Sequence, residues 1–108
     1  MVNGIPQLNV QQLKQRMDSG ENIFILDVRE PFEYQIANLG GLLMPQNEVA
    51  QRLGELDPER EIIVQCRSGV RSQRVAEFLQ QNGFKRVVNL TGGILAWADG
   101  IDPSLQKY

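Results

Sequence analysis

Cys66 is the only cysteine in the chain, and its neighbours set what it can do. The stretch Ile62-Ile63-Val64-Gln65-Cys66-Arg67-Ser68-Gly69-Val70-Arg71-Ser72 runs from an apolar strand, through a tight polar loop, to the start of a helix. Such a loop can turn several backbone N–H groups inward, and the helix behind it adds the positive end of its dipole. Arg67 and Arg71 add formal positive charge. All three effects favour a thiolate, the nucleophilic form of cysteine. A cysteine in isolation is more often a small buried hydrophobe. The strand end, the helix start and the two arginines together make Cys66 the candidate nucleophile instead.

Absences narrow the chemistry. There is no histidine, which removes Ser-His and Cys-His nucleophile pairs and His-ligated metal sites. One cysteine cannot build a thiolate zinc site or an iron–sulfur cluster. The carboxylates show no EF-hand-like spacing. The expectation is a site with no metal and no organic cofactor. A net charge of −2 argues against general nucleic-acid affinity. The charge is uneven: residues 67–86 carry +4, which leaves −6 elsewhere. Arg74, Lys85 and Arg86 read as a solvated basic face, whereas Arg71 closes the cysteine loop.

The elements that must hold this loop follow from the rest of the chain. With 108 residues, 42% hydrophobic and 22% charged, it suits one soluble domain. The expected core spans about 8–98, with 99–108 as an irregular tail. Gln7-Leu8 reads as a short edge strand. Asn9, with Gln12 three residues on, reads as a helix N-cap with a capping box. Val10, Leu13 and Met17 form the apolar face of that helix, and Gly20 ends it. Ile23–Leu26 is an apolar run suited to a strand buried on both faces. Pro31 opens a short helix. Arg29 and Glu33, four apart, are expected to pair. Asp27, at the end of its strand, is either a turn cap or a ligand-facing residue.

After the turn Asn38–Gly41 come a short strand Leu42–Met44 stopped by Pro45 and an amphipathic helix built on Val49, Ala50, Leu53 and Leu56. The strand Ile62–Gln65 precedes the cysteine loop. A helix over Ser72–Asn82 packs through Val75, Ala76, Phe78 and Leu79, with Gly83 just beyond it. Arg86–Leu90 is the last strand, Thr91-Gly92-Gly93 a glycine turn, and Ile94 begins a final short helix. Alternating strands and crossover helices give a parallel sheet covered on both faces. Asp27, Cys66, Gly92 and Gly93 then fall along one rim of that sheet, around a shallow pocket.

Loop length decides what such a ring of amides can hold. Protein tyrosine phosphatases resemble this arrangement but carry C-x5-R. Here four residues separate Cys66 from Arg71, and Ser72 stands six after the cysteine. The contracted loop suits one added sulfur atom better than a phosphoryl group. Cys66-Arg67-Ser68-Gly69-Val70-Arg71 is similar to the active-site loop of rhodanese sulfurtransferases. Asp27-Val28-Arg29-Glu30-Pro31-Phe32-Glu33-Tyr34 resembles that family's D-V-R-x-x-x-E-[YF] element, and Gly92-Gly93-Ile94-Leu95-Ala96-Trp97 its G-G-x-x-x-W element. One stretch departs: Ala37-Asn38-Leu39-Gly40-Gly41-Leu42 stands where many members have G-H-I-P-G-A. The ending Gly100-Ile101-Asp102-Pro103-Ser104-Leu105…Tyr108 is similar to that of rhodanese domains attached to E1-like adenylyltransferases, which serve small sulfur-carrier proteins.

The resemblance implies a three-layer α/β/α rhodanese-like sandwich around a mostly parallel five-stranded sheet. It also implies sulfur transfer. Cys66 would take sulfane sulfur from thiosulfate or from a protein persulfide such as that of a cysteine desulfurase. It would pass the sulfur to a nucleophile, with a small sulfur-carrier protein or an adenylyltransferase as partner. The loop Arg67, Ser68, Gly69, Val70, Arg71 and Ser72 would hold the anion, and Asp27, Arg29, Gly92 and Gly93 would form the rim. Two other readings stand beside it: a non-catalytic rhodanese-like binding module, or a Cys-dependent phosphatase or arsenate reductase. A redox-sensor cysteine would lack a resolving partner in this chain. No apolar run is long enough to span a membrane, and Met1–Pro6 has neither the charged nor the apolar region of a signal peptide. The expected site of action is the cytoplasm.

Overall fold

The computed structural model describes residues 4–108; Met1–Asn3, part of the stretch read as lacking a signal peptide, lies outside them. Five strands form one sheet: β1 (Gln7–Leu8), β2 (Ile25–Asp27), β3 (Leu42–Leu43), β4 (Ile62–Gln65) and β5 (Val87–Leu90). Their order is β1-β5-β4-β2-β3, and every pairing is parallel. The cysteine-bearing strand β4 is therefore central, with Val64 opposite both Leu26 and Asn89. Gln7-Leu8 is the edge strand the sequence suggested.

Four α-helices cover the sheet: α1 (Val10–Asp18), α2 (Pro31–Ile36), α3 (Val70–Gln81) and α4 (Gly93–Gly100). Side-chain alternation along the strands divides the core into two layers. Leu26, Ile62, Val64, Cys66 and Val87 face α3 and the segment before β4. Ile25, Ile63 and Leu90 face α1 and α4, where they meet Val10, Leu13 and Trp97. The expected α/β/α sandwich is what the chain adopts. Among the described residues, no helix is long and apolar enough to cross a membrane.

Local signals placed α1 well. The Asn9 side chain accepts from the Gln12 N–H, and the Gln12 side chain accepts from the Asn9 N–H. Met17, expected on the packing face, is instead 38% exposed in the last turn of α1. β2 begins two residues later than the apolar run suggested and takes in Asp27. The segment Gln46–Glu55 is a pair of 3-10 turns broken at Arg52 rather than one amphipathic α-helix. Val49 is buried there, but Ala50 faces solvent. α3 starts at Val70, two residues before the expected Ser72, so Arg71 lies in its first turn.

Candidate active site

Cys66 follows the last residue of β4 and is 1% exposed. Its sulfur accepts the Gly69 N–H at 3.1 Å and the Ser72 N–H at 3.4 Å. The loop reaches this geometry because Gly69, the N-cap of α3, takes φ of +101°. An L side chain rarely adopts that angle, and a Cβ there would also crowd the Gly92 nitrogen at 3.2 Å. The helix therefore opens directly onto the sulfur, with the positive end of α3 behind it. The sequence expectation had the whole loop from Arg67 to Ser72 hold the anion. The two donors the sulfur has are Gly69 and Ser72.

A second turn locks the loop from beneath. Gly93 is buried at the start of α4, where the Ile94 N–H donates to the Cys66 main-chain oxygen at 3.0 Å and the Leu95 N–H to that of Arg67 at 3.1 Å. The glycine turn is thus a support for the loop backbone. Gly92, half-buried with φ of +79°, makes the bend.

The charged residues pair differently from the sequence expectation. Arg71 reaches Glu33 on α2 through two hydrogen bonds of 2.8 and 2.9 Å. Those bonds hold the Glu33 carboxyl below the usual carboxylate range, and the Glu30 N–H adds to the effect against the cost of burial. The same contact raises the Arg71 guanidinium above its ordinary value. Arg29 does not pair with the Glu33 carboxylate. It is wholly buried, grips both oxygens of Asp27, and donates to the main-chain oxygens of Glu33, Ala37 and Tyr108.

Asp27 is 1% exposed, so it and Arg29 form a buried structural pair instead of an open rim. Asp27 also accepts the Arg29 N–H at 3.1 Å, which is the turn-capping role. Arg67 and Ser68 are exposed on the loop, and Val70 is 57% exposed. The Arg67 guanidinium lies 5.8 Å from the centre of the Tyr108 ring. That ring meets Phe32 edge-on, with centroids 6.2 Å apart. The tail therefore returns to the loop, a contact the sequence reading missed. The departure over Ala37–Leu42 is a self-braced turn. The Tyr34 hydroxyl donates to the Gly41 oxygen at 2.8 Å, and the Gly40 N–H donates to the Asn38 side chain at 2.9 Å.

Comparison with known proteins matches residues 9–99 to the rhodanese-like domain family. The chain belongs to that family. It is 35% identical over 99 residues to a sulfurtransferase of Allochromatium vinosum, covering 91% of this chain and 90% of the relative. It is 32% identical over 97 residues to the thiosulfate sulfurtransferase GlpE of Shewanella oneidensis, covering 89% of this chain and 95% of the relative. A crystal structure of a rhodanese-like domain protein from Staphylococcus aureus superposes with a TM-score of 0.83 at 27% identity, covering 96% of this chain and 99% of that one. Other relatives are longer. This rhodanese-like chain spans 52% of Bacillus subtilis YrkF, which is 40% identical to it, and 24% of the maize adenylyltransferase and sulfurtransferase MOCS3-2, 29% identical.

Proposed function

We propose that this protein is a sulfurtransferase that carries sulfane sulfur as a persulfide on Cys66. The observation that carries the reading is the sulfur's position: it sits at the N-terminus of α3 and accepts two backbone N–H groups inside a six-residue loop closed by Arg71. Fixed donors stabilise developing negative charge without reorganising at the moment of reaction. In the first half-reaction the Cys66 thiolate attacks the sulfane sulfur of thiosulfate. A new S–S bond forms, the old one breaks, and sulfite leaves with the electron pair. In the second half-reaction a nucleophile such as cyanide attacks the outer sulfur. Thiocyanate departs and the thiolate returns. No oxidant is consumed, and the kinetics are ping-pong.

Arg71 positions the loop through Glu33, and exposed Arg67 supplies the positive potential that meets an anionic donor. The names of the two sulfurtransferase relatives that match nearly end to end support this reading. A protein-borne persulfide is a second class of donor. A small sulfur-carrier protein or an adenylyltransferase is the proposed partner, a reading supported by the name of the longer maize relative, an adenylyltransferase and sulfurtransferase. The cytoplasm is the proposed site of action.

The test is intact mass after incubation with excess thiosulfate, then with cyanide. The wild type should gain one sulfur atom at Cys66 and lose it to cyanide. Cys66→Ser should stay folded and show neither change nor turnover. Turnover retained in that variant would falsify the mechanism.

A further inference from the structure

Behind Cys66 a chain of polar side chains runs from buried Ser72 and Asn89 out to exposed Gln7, and the transfer reaction does not itself require it. The sulfur is 3.3 Å from the Ser72 hydroxyl oxygen. That oxygen is 2.5 Å from Asn89 Oδ1 on β5. Asn89 Nδ2 donates to Gln7 Oε1 at 2.9 Å and to the Gly69 main-chain oxygen at 3.3 Å. Gln7 Nε2 in turn donates to Gln73 Oε1 and to the Ile5 oxygen. Ser72 is wholly buried and Asn89 nearly so.

Donor counting fixes the direction of every bond. Asn89 Nδ2 faces two acceptors, so Oδ1 must be the atom that faces Ser72. An amide oxygen only accepts, and a serine hydroxyl has one hydrogen. That hydrogen therefore lies on Asn89, and Ser72 turns a lone pair toward the sulfur. A thiol S–H can donate to that lone pair. A charge on Sγ cannot use it. If the Ser72 hydrogen swung round to an anionic sulfur, two oxygens 2.5 Å apart would face each other with no hydrogen between them.

From this geometry we infer that Asn89 is a positioning residue for Cys66: it takes the Ser72 hydrogen and so withholds a side-chain donor that lies within reach of the sulfur. The two backbone N–H groups still favour charge on Sγ, and the hydroxyl opposes it. Resting on the persulfide reading, the consequence is a bias toward charge one bond further out. In a persulfide the inner sulfur has no charge to be opposed by the lone pair. The loop therefore discriminates between the empty and the loaded cysteine.

The ionisable groups around the sulfur come from α3, the end of β2 and the loop. α3 contributes Arg71, which is paired with Glu33 of α2. The end of β2 contributes Asp27, paired with Arg29. The loop contributes Arg67, under the Tyr108 ring of the tail. β1 and β5 present only Gln7 and Asn89, and the start of α4 presents Gly93 and Ile94. The chain has no histidine to titrate near neutrality.

The experiment is the pH profile of Cys66 alkylation by iodoacetamide, which needs no sulfur donor. Asn89→Leu frees the Ser72 hydrogen for the sulfur. It should move the profile to lower pH and raise the neutral-pH rate by about tenfold, as one hydrogen bond to a charged group supports. Asn89→Ala should do the same if the leucine disturbs folding. In a Ser72→Ala background, either substitution should leave the profile unmoved. An unmoved profile in the single variants overturns the assignment, as does a shift that persists without the Ser72 hydroxyl. The wild type offers an independent reading, because one cysteine gives one S–H stretching band. That band should lie below the free-thiol position and rise in Ser72→Ala; a band at the free-thiol position in wild type overturns the assignment. The expected alkylation shift without any thiosulfate adduct would sink the persulfide reading and leave Asn89 its role.

Discussion

A methyl group added at Gly93 would fall onto the main-chain oxygens of Cys66 and Arg67, so α4 can brace the loop only because this residue has no Cβ. Its φ of +57° adds a penalty of about 1–2 kcal/mol for any L side chain. Gly93→Ala should therefore lower the melting temperature by several degrees and more and, by displacing the loop, reduce sulfur transfer. Thermal unfolding and thiosulfate turnover check the two effects. Full activity with an unchanged melting temperature would refute the bracing role. Spacing alone made Cys66 and Arg71 legible, since one cysteine and one arginine close a loop of fixed length. Their partners were less legible. Arg29 and Glu33 are four apart, but Arg29 precedes α2, so helical neighbour rules do not apply to it. Asp27, two residues away, captures it instead. Ser72 was read as the first residue of the helix, but α3 begins two residues earlier. Gly69 caps α3, and Ser72 turns inward to the sulfur.

Between elements, Arg29 is the joint. Its guanidinium holds Asp27 at the end of β2, the Glu33 oxygen of α2, the Ala37 oxygen just beyond it, and the Tyr108 oxygen of the tail. None of these contacts shows in periodicity, because three of the acceptors are main-chain atoms. Asp27→Ala should leave a buried, uncompensated cation and cost about 3–5 kcal/mol in denaturant unfolding. Asp27→Ala with Arg29→Leu should recover much of that loss. Equal losses in the single and double variants would count against the joint. The strands and α1 were legible because apolar runs and a capping box are local signals. The segment before β4 was misread for a local reason too. Val49, Leu53 and Leu56 recur at spacings that suit both 3-10 and α-helical turns, and the break at Arg52 has no sequence marker.

For the molecule as a whole, alternating strands and helices made a parallel sheet legible, but the order β1-β5-β4-β2-β3 depends on contacts between distant segments. That order sets β4 between β2 and β5, so the loop receives Glu33 from one side and Asn89 from the other. It also shapes the acid response. Arg71 lowers the Glu33 carboxyl below its ordinary value of 4.5, and Arg52 does the same for exposed Glu55. A carboxyl lowered by folding contributes stability that is fully present above its unfolded value and is lost as pH falls through the folded one. The chain has no histidine, the side chain whose ordinary value lies nearest neutrality. Stability should therefore be flat from about pH 6 to 8 and fall below about pH 4.5. Glu33→Gln should lower the plateau by an amount between the roughly 1 kcal/mol of an exposed ion pair and the roughly 3–5 kcal/mol of a buried one, because Glu33 is buried and Arg71 only partly so. It should also flatten the acid limb, since the charge that titrates there is gone. Urea unfolding across that pH range separates the two outcomes. A lowered plateau with an unchanged acid limb would mean that other carboxylates, not the Glu33–Arg71 pair, set the acid sensitivity.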